Sequence, residues 1–301
     1  MTNPPWQRLT RDQLATVIGD YYKFLTRFYI PESALKFPPP GGWPNISPET
    51  TKGFPRSPIV IDLLRRLPYI DEGDAGTMTT NIHYKSDVVD YSTWEPHQWA
   101  EDDQSGALSV QQWVEELEER KRDKPKDEEE EEGYLWYQDE GRDKDADDEE
   151  NWFDGDDPED IKLEHMIVIA DGYESGGRAI VLDVVKGNIY EDILACSGLK
   201  SEMAVEDYFD DLKTKFEKLE MVPVPGLGHH EGTLYGDIEG VPEVHEFDKS
   251  FTADDKDAAQ QYKKIYQSFG WPGETYRKEE ALAAIRAHAQ RRSEAEETAS
   301  S

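Results

Sequence analysis

Between Asp123 and Asp160 the chain carries 20 acidic and 4 basic residues, a net charge of −16 in 38 residues. Two blocks, Asp127–Glu132 and Asp143–Glu150, hold most of it, and almost no aliphatic side chains accompany them. Self-repulsion without apolar area to bury opposes collapse. Any core must therefore be built from the residues on either side of this stretch, which is predicted to be a disordered insert at 123–160. It accounts for about half of the overall charge of −33, from 33 Lys and Arg against 66 Asp and Glu in 301 residues. Such a chain is not expected to bind nucleic acid, because tracking phosphates requires Lys and Arg that displace counterions.

Five aromatics interrupt the acidic segment: Tyr134, Trp136, Tyr137, Trp152 and Phe153. Acidic stretches dotted with rings can dock on a basic, partly apolar protein, or the rings can pack back on their own chain. On the first reading, Glu128, Glu129, Glu130, Glu131 and Glu132, together with Trp136 and Trp152, are the candidate partner-binding residues, and the partner is a basic protein. Eight Trp, fifteen Tyr and ten Phe in the whole chain are too many for complete disorder.

Before the insert the apolar spacing is helical. Thr10 and Gln13 have the spacing of a capping box, followed by Leu14, Val17, Ile18, Tyr21, Tyr22, Leu25, Phe28 and Tyr29. A proline-rich link from Phe37 to Pro44 follows, where the rings fix φ and remove donors. Ser57 as N-cap and Pro58 at the first position open a second helix, closed by Pro68. A third is predicted from about Ser109 to Arg122. Its cations Arg120, Lys121, Arg122, Lys124 and Lys126 suit a helix C-terminus, or alternatively a nuclear-import patch.

After the insert the period changes to two. Met166–Ala170 and Arg178–Val185 are short, β-branched and bounded by glycines, and Lys186-Gly187-Asn188 supplies a tight turn into Ile189-Tyr190. This predicts an antiparallel hairpin or three-stranded meander in which Gly187 is a structural turn residue with positive φ. A helix from Val205 to about Leu219 follows, then a Gly/Pro-rich loop, a helix from about Ala258 to Phe269, and a last helix from Lys278 to about Arg292 with a frayed tail.

Enzyme signatures fail on spacing. Gly172-Tyr-Glu-Ser175-Gly176 has two residues before the serine where a nucleophile elbow has one. No phosphate-cradling G-x-x-x-x-G-K-[ST] occurs, and Gly226-Leu-Gly228 lacks the third glycine of a dinucleotide turn. His229, His230, Glu231 and His245 are zinc-type ligands without a ligand spacing, and read as an exposed loop. Cys196, the single cysteine, reads as a small buried hydrophobe and excludes an intrachain disulfide, which fits a reducing compartment, cytoplasm or nucleus. No catalytic residue, metal site or cofactor is predicted, and no stretch reads as a signal peptide or membrane span.

Two stretches resemble the SMI1/KNR4, or SUKH, superfamily of fungal and bacterial proteins. One is Gly42-Trp-Pro-Asn-Ile-Ser-Pro-Glu-Thr50 leading into Ile59–Ile70. The other is the strand, glycine turn and aromatic re-entry from Ile167 through Gly187 to Tyr190. The resemblance covers roughly residues 40–70 and 165–220. It implies an α+β fold, an antiparallel-rich twisted sheet flanked by helices, and a protein-interaction module without catalytic residues. In that superfamily such modules neutralise toxins in bacteria and regulate cell-wall synthesis and signalling in fungi.

The combined expectation is a helical part at 1–122, the acidic insert, an α+β part at 161–285 and a frayed tail at 286–301. The function expected is a non-catalytic intracellular interaction module. An enzyme using carboxylates not yet singled out, and an acidic chaperone-like or histone-binding protein, are the alternatives.

Overall fold

The structure, a computed structural model, describes residues 9–75, 80–101, 162–174, 176–193, 199–226, 233–236 and 253–299. Helix α1 (Arg11–Phe28) begins at a complete capping box: Thr10 N–H donates to Gln13 Oε1 at 2.8 Å, and the Thr10 hydroxyl accepts from Gln13 N–H at 3.3 Å. Its buried face is Leu14, Ile18, Tyr21, Tyr22, Leu25 and Phe28. Helix α2 (Pro58–Leu64) starts on a proline whose missing N–H would have been unpaired there in any case. Ser57 stands at its N-cap, but its hydroxyl makes no capping bond and is buried without a partner. Its backbone N–H instead donates to Glu164 O at 2.7 Å, pinning α2 to the chain that re-emerges after the acidic segment.

The first part of the chain also contributes strands. β1 (Leu35–Lys36) pairs with β2 (Tyr69–Ile70), and the short helix α3 (Glu72–Ala75) follows. β3 (Asn81–His83) and β4 (Ser86–Val88) join β5 (Met166–Gly172), β6 (Arg178–Asp183), β7 (Asn188–Ile193) and β8 (Leu199–Ala204) in one antiparallel sheet of order β3-β4-β5-β6-β7-β8. The fold is therefore α+β with an antiparallel six-stranded sheet. It is wider than the expected meander, and it spans the expected boundary between a helical and a sheet-containing part. β3 and β4 are three residues each and rich in polar side chains, too short for a period of two to register.

β4 and β5 are neighbours, with Ser86 opposite Gly172, Asp87 opposite Asp171 and Val88 opposite Ala170. The chain linking them carries helix α4 (Pro96–Glu101) and then the whole acidic segment. Trp99 of α4 is fully buried against Phe54, Tyr91 and Trp94, anchoring the N-terminal side of this connection.

Helix α1 and helix α5 (Val205–Glu217) cover one face of the sheet, where Tyr21 and Phe209 stack at 4.6 Å above Ile180, Leu182 and Ile189. Val168, Val181 and Tyr190, which alternate to the other face, are buried as well. Beyond α5 the hairpin β9 (Met221–Val224) and β10 (Thr233–Gly236) meets α6 (Ala253–Ser268) and α7 (Lys278–Ala299). Trp271 stacks on Phe28 with ring centroids 3.8 Å apart, and its Nε1 donates to Phe216 O at 3.0 Å. Lys278 Nζ donates to Thr26 O and Ile30 O, both at 2.7 Å, supplying partners to carbonyls in the last turn of α1 and just beyond it. α7 runs past the expected end at Arg292. Ala, Glu, Arg and Gln dominate its last turns, all strong helix formers that sustain a helix with little packing.

Candidate functional site

In the β6–β7 ladder Arg178 lies opposite Ile193, Ile180 opposite Glu191 and Leu182 opposite Ile189. Opposed residues share a face, so alternation puts Arg178 and Glu191 in one row with Ile180, Leu182, Ile189 and Ile193, under α1 and α5. Two opposite charges thus stand inside an apolar row. Arg178 Nη1 donates to Glu191 Oε2 at 2.5 Å, and the Tyr208 hydroxyl of α5 donates to Oε1 at 2.7 Å. His83 of β3 brings Nε2 to 3.7 Å from the same oxygen, while its Nδ1 accepts the Tyr84 N–H at 2.7 Å. Ser86 of β4 donates its hydroxyl to Arg178 O at 2.6 Å. Arg178, Glu191, His83 and Tyr208 are all buried.

Burial by itself would raise the Glu191 carboxyl, because it penalises the charge. Attraction to His83 and Arg178 and the hydrogen bonds from Tyr208 and Arg178 outweigh it and hold the group at about 2. Tyr208 is pushed well above the ordinary phenol range, first by burial and then by the adjacent Glu191 charge, so it stays a neutral donor. A general acid or base has to exchange its proton near the working pH. Glu191 is held ionised with both oxygens occupied, so the arrangement serves to bind β3, β6, β7 and α5 to one another. Arg178 Nε is buried without a partner, a desolvation penalty that the rest of the cluster offsets.

Gly187 occupies the β6–β7 turn at φ +78°, and its N–H donates to Asp183 O at 2.8 Å. The Asp183 carboxylate accepts the N–H groups of Val185 and Lys186 at 2.8 and 2.9 Å. Gly187 O accepts the N–H of Val205, the first residue of α5, at 3.0 Å. The turn therefore sets both the β6–β7 register and the start of the helix that carries Tyr208.

The partner-binding candidates Glu128, Glu129, Glu130, Glu131, Glu132, Trp136 and Trp152 lie outside the described residues, as do Arg120–Lys126, Cys196, His229, His230, Glu231 and His245. What the structure does locate is the connection that carries the acidic run. Among the described residues there is no group of three or more His, Cys, Asp or Glu side chains arranged to hold a metal, and no helix long and apolar enough to cross a membrane. The ion cluster was absent from the sequence-based expectations, although its two central members had a signal: Arg178 and Glu191 fall at inward positions of otherwise apolar alternating rows. Comparison with models of protein families, with curated proteins and with solved structures finds no match.

Proposed function

We propose that this chain is a non-catalytic protein-interaction module in which a rigid α+β scaffold presents an acidic, aromatic-dotted segment to a basic protein partner. The observation that carries this reading is topological. The segment of net charge −16 lies in the connection between two strands that are directly paired, β4 and β5. The described chain on either side of that connection is held, by the burial of Trp99 before it and by the contact of Ser57 with Glu164 after it. A charge density of this kind attracts cationic surfaces over a distance and raises association rates. The buried cluster around Glu191 supports the same reading, since its carboxylate is committed to Arg178 and Tyr208. The resemblance to the SMI1/KNR4 superfamily, a set of interaction modules, points the same way, and a single cysteine suits a reducing compartment such as the cytoplasm or nucleus.

The test replaces residues 123–160 with an uncharged Gly/Ser linker of equal length. Because β4 and β5 keep their register, the melting temperature is expected to stay within a few degrees. Basic proteins captured from native lysate by the full chain are expected to be lost. Undiminished capture of the same proteins by the linker variant would overturn the proposal.

A further inference from the structure

Phe37 is the most exposed large apolar side chain among the described residues, at 53%. It is followed by Pro38, Pro39 and Pro40, of which the last two are exposed and the first half-buried. A residue before proline is driven to extended or polyproline II backbone, and each proline fixes its own φ near the same region. Pro38 and Pro39, each also preceding a proline, are thereby restricted to polyproline II and Phe37 to extended or polyproline II backbone, and at three residues per turn such a run places Phe37 and Pro40 on one edge.

Both ends of this ridge are clamped. β1 pairs with β2 immediately before it, and Lys36 is held by Asp74 and Asp71. After it, Gly42 N–H donates to Pro39 O at 2.8 Å, Trp43 N–H donates to Arg65 O at 2.9 Å, and Trp43 Nε1 donates to Leu67 O at 2.8 Å. Gly42 has φ +85°, and a Cβ there would meet Arg65 O at 2.6 Å, so the chain turns sharply away at this point. On the inner side an open cleft of about 440 Å³ lies between the prolines, Asp12 and Ala15 of α1, and Arg66. The ridge is thus approachable from above and from its flank.

We infer that residues 37–40 form a preorganised ligand for a folded partner domain whose polyproline-reading groove is lined by aromatic rings. The chemistry of the ridge selects that occupant. Three successive prolines offer apolar rings and carbonyl acceptors, of which Pro39 O is already taken by Gly42 N–H, but no N–H donors, which rules out pairing with a strand. The complement is a surface of Trp and Tyr, whose rings pack on proline and whose N–H and O–H groups donate to carbonyls. An exposed aromatic at the start of the ridge adds an anchor, and the clamped ends remove much of the ordering that a free peptide must undergo.

Titrating the full-length chain with purified SH3, WW and EVH1 domains, by calorimetry at low and physiological salt, tests this. At least one domain is expected to bind in the micromolar range with little salt dependence. A synthetic peptide of residues 35–43 should bind the same domain several-fold more weakly. Phe37→Ala and Pro39→Ala, both exposed and expected to leave the melting temperature unchanged, should each weaken binding tenfold or more. Replacing Glu128–Glu132 with Gln should leave this binding intact, so that its failure and that of the acidic-segment proposal are separable. Absence of binding by all three classes, or equal binding by the Phe37→Ala and Pro39→Ala variants, would overturn the inference.

Discussion

Phe28, at the end of α1, and Glu191, under α5, are both buried, yet their surroundings stabilise the fold by different rules. Phe28 is packed by Trp271, Tyr266, Phe216 and Tyr276, with ring centroids between 3.8 and 6.3 Å. Each ring adds area and dispersion largely on its own account, so losses there are graded. Glu191 stabilises only as a member of a set, because every charge left behind when one member is removed is buried and unpaired. The aromatic cluster joins α1 to the C-terminal helices, and the ionic one joins β3 to β6, β7 and α5. The first is expected to tolerate imperfect partners, and the second to favour one arrangement of the sheet.

The largest expected effects set these rules against each other. Glu191→Gln strands Arg178 and should destabilise the domain by roughly 3–5 kcal/mol, while Arg178→Met with Glu191→Leu should recover part of that loss, Tyr208 and His83 still losing their acceptor. Trp271→Ala should also cost roughly 3–5 kcal/mol, but no second apolar truncation nearby is expected to restore it. Equilibrium denaturation of the four proteins decides this. A double variant less stable than Glu191→Gln would mean that the ionic cluster does more than satisfy itself.

Acid comes next in size. The folded Glu191 carboxyl lies at about 2, below its ordinary 4.5, so its contribution is complete above 4.5 and is lost as pH falls toward 2. The shift corresponds to a stabilisation on the order of 3 kcal/mol. In parallel denaturation at stepped pH, Glu191→Gln should have a shallower acid limb than the parent chain. Identical limbs would mean that other carboxylates govern acid unfolding.

Smaller effects are expected at the joints. Gly187→Val places a β-branched residue at φ +78° in open space, so strain is its only penalty, and the melting midpoint should show a loss of about 1–2 kcal/mol. Lys278→Met removes two donors from the end of α1 and should cost about 1 kcal/mol. Burial lowers the Lys278 ammonium, which sets the ion's desolvation against its two hydrogen bonds. A gain in stability on Lys278→Met would mean that desolvation dominates.

Much of this architecture was legible in the sequence. Thr10 and Gln13 announce α1, Pro58 opens α2, and the β-branched runs from Met166 and Arg178 mark the central strands. β3, β4 and β8 were not legible, since three-residue strands and the mixed run Leu199–Ala204 carry no clear period. Half of the ion cluster was written in the alternation around Arg178 and Glu191. His83 and Tyr208 were not, because only the folding of β3 and α5 onto the same face brings them together. Gly187 was readable as a turn, but its carbonyl bond to Val205, which starts α5, depends on tertiary placement.

The charges around Glu191 are paired with one another, whereas those of the β4–β5 connection are proposed to meet a basic partner, and the rate of association with a captured basic partner tests that division most directly. Stopped-flow association across a salt series would compare the full chain with the variant in which Glu128, Glu129, Glu130, Glu131 and Glu132 are replaced by Gln. The screening length falls to about 8 Å at physiological ionic strength, removing long-range attraction while sparing contacts. The on-rate of the full chain is expected to fall steeply with salt and that of the variant to start low and fall less, with off-rates nearly equal. A flat on-rate for the full chain, or superimposable salt curves for the two proteins, would contradict recognition through the acidic connection.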